Sequence, residues 1–430
     1  MKVSIIVPAH NEEQGLPATL ASLLAQTRPA HQIIVVDDGS TDRTGDVARS
    51  YGVTVLCPPH NLGSKAKAQN HALPHCEGDI VLAVDADTIL APDYIEKLTP
   101  AFDDPAVAIA AGNVQTRFTR TVWERGRSTE YLFGFHWHRP IQAAAHSPMV
   151  CSGCCSAFRR DALLAYGGFP ERTIVEDMDL TWSLQLAGRK AAYVGDAVAW
   201  AADPETLPYL RKQVRRWMAG FFQNVRLHLP RLLTRKPMLA LWVCLAILEI
   251  VITPFWWTTP ALLTFLWHVP ATHALAWWAG TELLLITPPL LYAAKRRRLP
   301  FRHVLTNLPC VYATRAVNTY YAWKALITEL LLVPLNLAQP LTTYEKGRSN
   351  TPTYQPRHAR PRKQTRNNPH HPITTNSPPT PTTNKPTHHP PNSPSTNDRT
   401  PMTTKPSNRS GRSNKHPAPN GPETLRRSAP

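Results

Sequence analysis

For about its first hundred residues the chain alternates two kinds of pattern. Apolar runs of strand length fall at 2–8, 32–37, 53–57 and 79–85, including Ile33-Ile34-Val35-Val36 and Ile80-Val81-Leu82-Ala83-Val84. Between them, at about 15–26, 42–50 and 65–74, lie stretches of helical pattern, and another apolar stretch covers 106–111. Strands that are apolar at every position, rather than at every second one, must be buried on both faces. The pattern therefore predicts an α/β domain: a mostly parallel sheet covered by helices on either side. The opening run Lys2-Val3-Ser4-Ile5-Ile6-Val7-Pro8 reads as a strand rather than a signal peptide or membrane anchor, so a soluble domain is expected to come first.

After about residue 235 the pattern changes. Residues 238–257 carry one charge, Glu249, and residues 271–294 carry one, Glu282, so each stretch is long and apolar enough to cross a bilayer. Arg226, Arg231, Arg235 and Lys236 precede the first stretch and Lys295-Arg296-Arg297-Arg298 follow the second. The positive-inside rule makes the pair a hairpin with both ends in the cytoplasm, and places the α/β domain there too, on a multi-pass protein of the cell membrane. A third stretch, about 308–339, is interrupted by Arg315 and Lys324, which leaves open an interfacial amphipathic helix or a third span. Trp256, Trp257, Trp267, Trp277 and Trp278 are assigned mostly to the headgroup level of the bilayer, with sugar stacking as the alternative. The expected organisation is a cytosolic domain over 1–235, a membrane region over 236–345 and a tail over 346–430.

Composition changes this picture mainly at the tail. Residues 351–430 hold 13 lysines and arginines against two acids, a net +11 of the chain's formal +17, and 18 of its 43 prolines. Almost devoid of aliphatic residues, the tail cannot bury enough apolar surface to offset its ordering entropy, and disorder is expected. The basic balance is therefore local, which excludes a uniformly basic nucleic-acid-binding protein; loose attraction to anionic lipid is the most such a tail offers. The seven cysteines are scattered and odd in number, so no disulfide framework is read from them. Cys151, Cys154 and Cys155 lack a downstream ligand pair at zinc spacing and read as small packing residues.

The candidate chemistry follows the strands. Ligands of open parallel sheets bind beyond the carboxyl ends of the strands, and three such ends carry polar clusters: Pro8-Ala9-His10-Asn11-Glu12, Asp37-Asp38-Gly39-Ser40 and Asp85-Ala86-Asp87. One aspartate after a strand is ordinarily a turn or cap; three acidic clusters on one rim call for a cation or hydrogen-bond donors. Asp85 and Asp87 offer hard carboxylates to Mg²⁺ or Mn²⁺, ions that bridge protein to substrate phosphates. Neither a Walker sequence nor GxGxxG is present, which argues against a nucleoside triphosphatase or a dinucleotide enzyme.

With those clusters come Glu176-Asp177-Met178-Asp179-Leu180-Thr181 and Gln213-Val214-Arg215-Arg216-Trp217, in that order. The set resembles the family 2 glycosyltransferases, and among them the membrane-embedded synthases of β-linked polysaccharides such as cellulose, hyaluronan, chitin and poly-N-acetylglucosamine, over about residues 1–345. The resemblance implies a Rossmann-like nucleotide-sugar domain of GT-A type, with Pro8, Glu12, Asp37 and Asp38 around the nucleoside and Asp85 and Asp87 on the metal and diphosphate. It implies a further diphosphate contact from Lys65, here in Gly63-Ser64-Lys65-Ala66 with an inserted serine. Gln213 and Arg216 join the donor side; Gly153, in the small-residue segment through Arg160, and Trp217 belong to the acceptor.

Asp177, beside Glu176, stands where such enzymes keep the base for inverting transfer, and two adjacent carboxylates can in general raise one another's proton affinity. An acid at a helix N-terminus is also favoured by the macrodipole, and both readings can hold. The expected reaction moves a sugar from a UDP-sugar, first choice UDP-N-acetylglucosamine, to a growing saccharide at the membrane, with a homodimer or an export partner as candidates for secretion. A lipid acceptor without processivity and a catalytically inactive assembly protein are the alternatives.

Overall fold

A computed structural model describes residues 1–342, so the expectations for the basic tail lie outside the described residues. The strands are β1 (Val3–Ala9), β2 (Gln32–Asp37), β3 (Thr54–Leu56), β4 (Ile80–Val84), β5 (Ile89–Leu90), β6 (Val107–Thr116), β7 (Cys155–Arg159) and β8 (Lys190–Ala201). The helices of the first part are α1 (Leu16–Leu24), α2 (Thr44–Ser50), α3 (Lys65–Ala72), α4 (Tyr94–Leu98), α5 (Val122–Phe133), α6 (Arg139–Ala144), α7 (Arg160–Tyr166) and α8 (Glu176–Leu186). Four long helices follow: α9 (Leu207–Arg235), α10 (Pro237–Trp267), α11 (Ala271–Arg296) and α12 (Phe301–Leu326).

One sheet runs in the order β3-β2-β1-β4-β7-β6-β8-β5. Pairs among β3, β2, β1 and β4 are parallel, as the unbroken apolar runs predict. The sheet is mixed because β7 pairs antiparallel with both β4 and β6, and β5 with β8. Successive residues of each central strand serve two cores. Ile5, Val7, Val35, Leu82 and Val84 pack on one face, and Ile6, Ile34, Val36, Val81 and Ala83 on the other. Strand order reverses about β1, with β2 on one side and β4 on the other, so a crevice opens at their carboxyl ends.

Two helices among the described residues, α10 and α11, are long and apolar enough to cross a membrane. Their outer faces expose Leu245, Leu248, Ile252, Phe255, Leu284 and Leu285, a surface suited to lipid rather than water. Glu282 does not face out: buried, it accepts from Trp256 Nε1 at 2.7 Å and pairs with Arg315 of α12 at 2.6 Å. The Trp256 ring N–H is therefore an interior donor, unlike its assignment to the headgroup level. The third stretch is placed by the same logic. α12 lies along the α/β domain, with Arg125 Nε of α5 bonded to Asn307 Oδ1 at 2.7 Å and Asn318 Nδ2 to Glu130 Oε1 at 3.0 Å. At Gly126 an added Cβ would fall 2.4 Å from Thr314 Cγ2, so glycine is what lets the two helices approach. Asn307 and Asn318 dock the helix on the α/β domain, while Arg315, one of the two charges that interrupt the stretch, ties it to Glu282 of α11.

Candidate active site

The three polar strand ends form one rim. Asn11, at φ 53°, links the first two: its backbone N–H donates to Ser40 Oγ at 3.0 Å, and its Oδ1 accepts from the Thr41 N–H at 2.7 Å. Asp38 is held by the loop after β3, its Oδ1 accepting from the Leu62 N–H at 2.7 Å and its carbonyl from Asn61 Nδ2 at 2.7 Å. Gly39 makes this contact feasible, since at φ +68° it packs directly on Asn61. Pro8, Glu12, Asp38, Lys65, Asp85 and Asp87 then line a cavity of about 420 Å³.

Asp37 does not join them. Its Oδ1 accepts from the Ser40 N–H at 3.2 Å and its Oδ2 sits where a Cβ on Gly45 would go, 2.5 Å away. Neighbours on an extended chain point to opposite sides, so one of two consecutive aspartates closes the turn while the other faces the crevice. Asp37, expected on the donor side, lies in the turn and not among the residues lining that cavity.

Lys65 sits at the hub. Ser64, the inserted serine, caps α3 by accepting from the Lys67 N–H at 3.3 Å, which sets Lys65 at the first helical position. Its Nζ lies 2.5 Å from Asp85 Oδ1, 3.0 Å from the Gly153 carbonyl and 3.5 Å from Glu176 Oε1. Burial works against the ammonium, but Asp85 and Glu176 outweigh it and hold the lysine pKa above its usual range. Asp85 is pushed up, first by burial and further by Asp87 and Glu176, against the pull of Lys65.

That mutual strain fits the carboxylate pair to a divalent cation, whose charge would relieve both burial and repulsion. No cluster of three or more His, Cys, Asp or Glu ligands exists among the described residues. A metal here would be held by Asp85 and Asp87 with the substrate's phosphates completing its shell, as Mg²⁺ commonly is.

A second cavity, about 430 Å³, shares Lys65, Asp85 and Asp87 with the first and adds Gly153, Glu176, Asp177, Gln213, Arg216 and Trp217. It extends to Ala246 and Ile250 of α10. The Gly153 N–H donates to Asp177 Oδ2 at 2.7 Å, and the Met178 N–H to Asp177 Oδ1 at 2.8 Å. Glu176, also at the N-terminus of α8, turns to Lys65 instead. Two residues on, Asp179 is buried and bound to Arg172 and His228; burial raises its pKa, but those two partners prevail and leave it lowered. It locks α8 onto α9.

His10, in the first polar cluster, places Nδ1 2.8 Å from the Asp38 carbonyl. Other site residues left no mark in the sequence. Arg139 donates to the Val150 carbonyl at 2.6 Å and Ser152 Oγ at 3.0 Å, bracing the segment before Gly153. Arg127 sits 4.6 Å over the Trp217 ring. Asp203 lines the same cavity, its carboxyl pushed by burial up to about 6 against the pull of Arg127. All seven cysteines are free thiols, and Cys151 and Cys155 are buried.

A parallel half-sheet with acidic strand ends, a shared lysine and a carboxylate facing the junction define a glycosyltransferase domain of GT-A-like fold. Residues 4–167 match the family described as Glycosyl transferase family 2. An N-acetylglucosaminyltransferase of Rhizobium meliloti is 35% identical over 257 residues, 55% of this chain and 60% of that protein. A hyaluronan synthase of Streptococcus pyogenes is 31% identical over 56% of this chain and 62% of its own length. The chain thus spans about 60% of the length of these relatives. A mannosyltransferase from Pyrobaculum calidifontis, solved with GDP-Man and Mn²⁺, superposes with a TM-score of 0.53 at 22% identity, over 77% of this chain and 87% of its own, and shares the fold.

Proposed function

We propose that the protein is an inverting membrane glycosyltransferase that moves a sugar from a UDP-sugar, first choice UDP-N-acetylglucosamine, to a growing β-linked saccharide. One observation carries the reading: the crevice at the strand ends and the cavity beneath Trp217 meet at Lys65, Asp85 and Asp87, with Asp177 facing the junction. Donor diphosphate and acceptor hydroxyl brought in from the two sides would meet there. Pro8, Glu12 and Asp38 take the nucleoside, and Asp85 and Asp87 hold Mg²⁺ or Mn²⁺ against the diphosphate. Bound there, such a metal would supply charge neutralisation for the departing diphosphate. Lys65 and Arg216 add fixed positive charge on the same side, where the transition state gains negative charge.

Asp177, oriented by the Gly153 and Met178 N–H groups, takes the proton of the acceptor hydroxyl. Trp217 offers an apolar ring to the sugar face. Names among the relatives favour N-acetylglucosamine as the sugar and a polysaccharide as the product. The second cavity's reach to Ala246 and Ile250 favours a chain leaving along α10, and the basic residues flanking α10 and α11 favour the α/β domain on the cytoplasmic side of the cell membrane. Membranes containing the protein are incubated with a panel of UDP-sugars plus Mg²⁺ or Mn²⁺, UDP release is followed, and the product is sized. UDP release with a long saccharide supports the reading; a single sugar on a lipid points to the non-processive alternative. UDP and Mn²⁺ binding without turnover of any sugar points to an inactive assembly protein.

A further inference from the structure

The Lys65 ammonium is ringed by oxygens from three separate parts of the fold. Asp85 Oδ1, after β4, stands 2.5 Å from Nζ; the carbonyl of Gly153, before β7, at 3.0 Å; and Glu176 Oε1, at the N-terminus of α8, at 3.5 Å. Two carboxylates and a carbonyl are the hard oxygen ligands that Mg²⁺ or Mn²⁺ would also take. Here the chain's own ammonium fills that seat. The seat is open to both sides, since the Lys65 side chain is partly exposed and lines both cavities.

A tie between α3 and the sheet is the bland explanation, but α3 has little need of one. Ala66, Ala68 and Ala72 already bury its inner face in the core, and Ser64 caps it. Lysine is also a poor choice for the first helical position, where the helix dipole disfavours a cation. Charge supplies a better reason. A divalent ion on the Asp85 carboxylate would lie close beside the ammonium, and two cations on one partly buried carboxylate repel each other. Asp85 therefore serves one cation at a time until an anion comes between them. A nucleoside diphosphate is such an anion, and the flexible four-carbon stem of lysine lets the ammonium follow it.

Resting on the transferase reading above, we propose that Lys65 is the site's own substitute cation: without donor its ammonium holds Asp85 against Mg²⁺ or Mn²⁺, and the diphosphate of an arriving nucleotide draws it away and admits the metal. Metal and nucleotide then bind as a coupled pair, each strengthening the other by the same factor. Between turnovers the acidic rim keeps a cation without holding a divalent ion tightly.

The test measures binding rather than turnover, on the full chain in detergent micelles. Free Mn²⁺ is followed by electron paramagnetic resonance, with and without UDP, in wild type, Lys65→Met and Lys67→Met. The first variant keeps the stem and removes the charge; the second removes the same charge from an exposed position on the same helix. Wild type is expected to bind Mn²⁺ about 10-fold or more tighter with UDP than without. Lys65→Met should bind Mn²⁺ alone about 10-fold tighter than wild type, with the gain from UDP reduced to within about threefold, while Lys67→Met stays within about twofold of wild type throughout. Lys65→Gln repeats the comparison should the methionine variant not fold. Mn²⁺ affinity unchanged or weakened in Lys65→Met overturns the proposal, and so does an equal gain in Lys67→Met, which would reduce the effect to general charge. A wild type that binds UDP with Mn²⁺ while either of these results holds leaves the donor site standing and removes only the substitute cation. Tighter Mn²⁺ binding by Lys65→Met in a protein that binds no UDP overturns the proposal's coupling and defeats the transferase reading with it.

Discussion

The Gly153 N–H donates to Asp177 Oδ2 at 2.7 Å, and the same glycine leaves little room for a side chain. An added Cβ would stand 3.0 Å from Lys65 Nζ and 3.2 Å from Asp177 Oδ2. Residue 153 thus separates the proposed base from Lys65 by one backbone unit, its N–H turned to one and its carbonyl to the other.

Gly153→Ala should therefore displace one of the two groups by a few tenths of an ångström without unfolding the protein. Misplacement at a reacting centre is expensive, and turnover is expected to fall about 10- to 100-fold with little change in melting temperature. Steady-state rates of UDP release measure it. An alanine variant within twofold of wild type would show that the close approach is dispensable.

Asp87→Ala removes one of two hard ligands from the rim. Divalent-dependent binding of the UDP-sugar should be lost, because the remaining carboxylate is already engaged by Lys65 at 2.5 Å. Calorimetry with and without EDTA decides. Equal affinities for wild type and variant in both conditions would remove the metal from this rim.

Asp179→Ala is the contrast to any change at Asp177, two residues earlier on the same helix. Asp179 is fully buried and answers Arg172 and His228, so its loss leaves the nearly buried His228 ring without its carboxylate partner. Breaking a buried pair from one side predicts a destabilisation of about 3–5 kcal/mol, read by chemical denaturation. A loss below about 1 kcal/mol would mean that α8 and α9 are held together by apolar packing alone.

Asp203→Asn carries a pH signature. An unfolded aspartate titrates near 3.8 and the buried one at about 6, so between those values the folded state holds a proton that the unfolded state releases. The group's contribution to stability is complete below about pH 4 and is lost as pH rises through 6, about 3 kcal/mol in all by pH 7. Raising the pH from 4 to 7 should accordingly cost the wild type more stability than the asparagine variant. Parallel stability curves for the two would place Asp203 in contact with water.

Much of this was legible because burial on both faces writes itself into strands. The runs in β1, β2 and β4 could be read directly, and with them the rim carrying Asp38, Asp85 and Asp87. The pairing direction of β7 could not, since its text, Cys155-Ser156-Ala157-Phe158-Arg159, serves either direction equally well. Asp37 and Asp38 look alike in sequence, and only the alternation of the extended backbone separates turn from crevice. The Arg127, Tyr131 and Asp203 group was invisible because its members sit on α5 and on the β8–α9 connection, and each alone reads as an ordinary helix or loop residue. Glu282 and Arg315 hid one another for a related reason: each read as a flaw in its own apolar segment, and together they form a buried pair.

The most direct measurement of the central claim compares wild type and Asp177→Asn for two quantities in the same membranes: UDP affinity, and the rate of UDP release from a UDP-sugar the wild type uses. Removing a general base while conserving shape predicts UDP affinity within about twofold and a rate lower by about 10²–10⁴. A variant that keeps more than a tenth of the wild-type rate would contradict the account, because the carboxylate at the junction of the two cavities would then not be the group that takes the acceptor's proton.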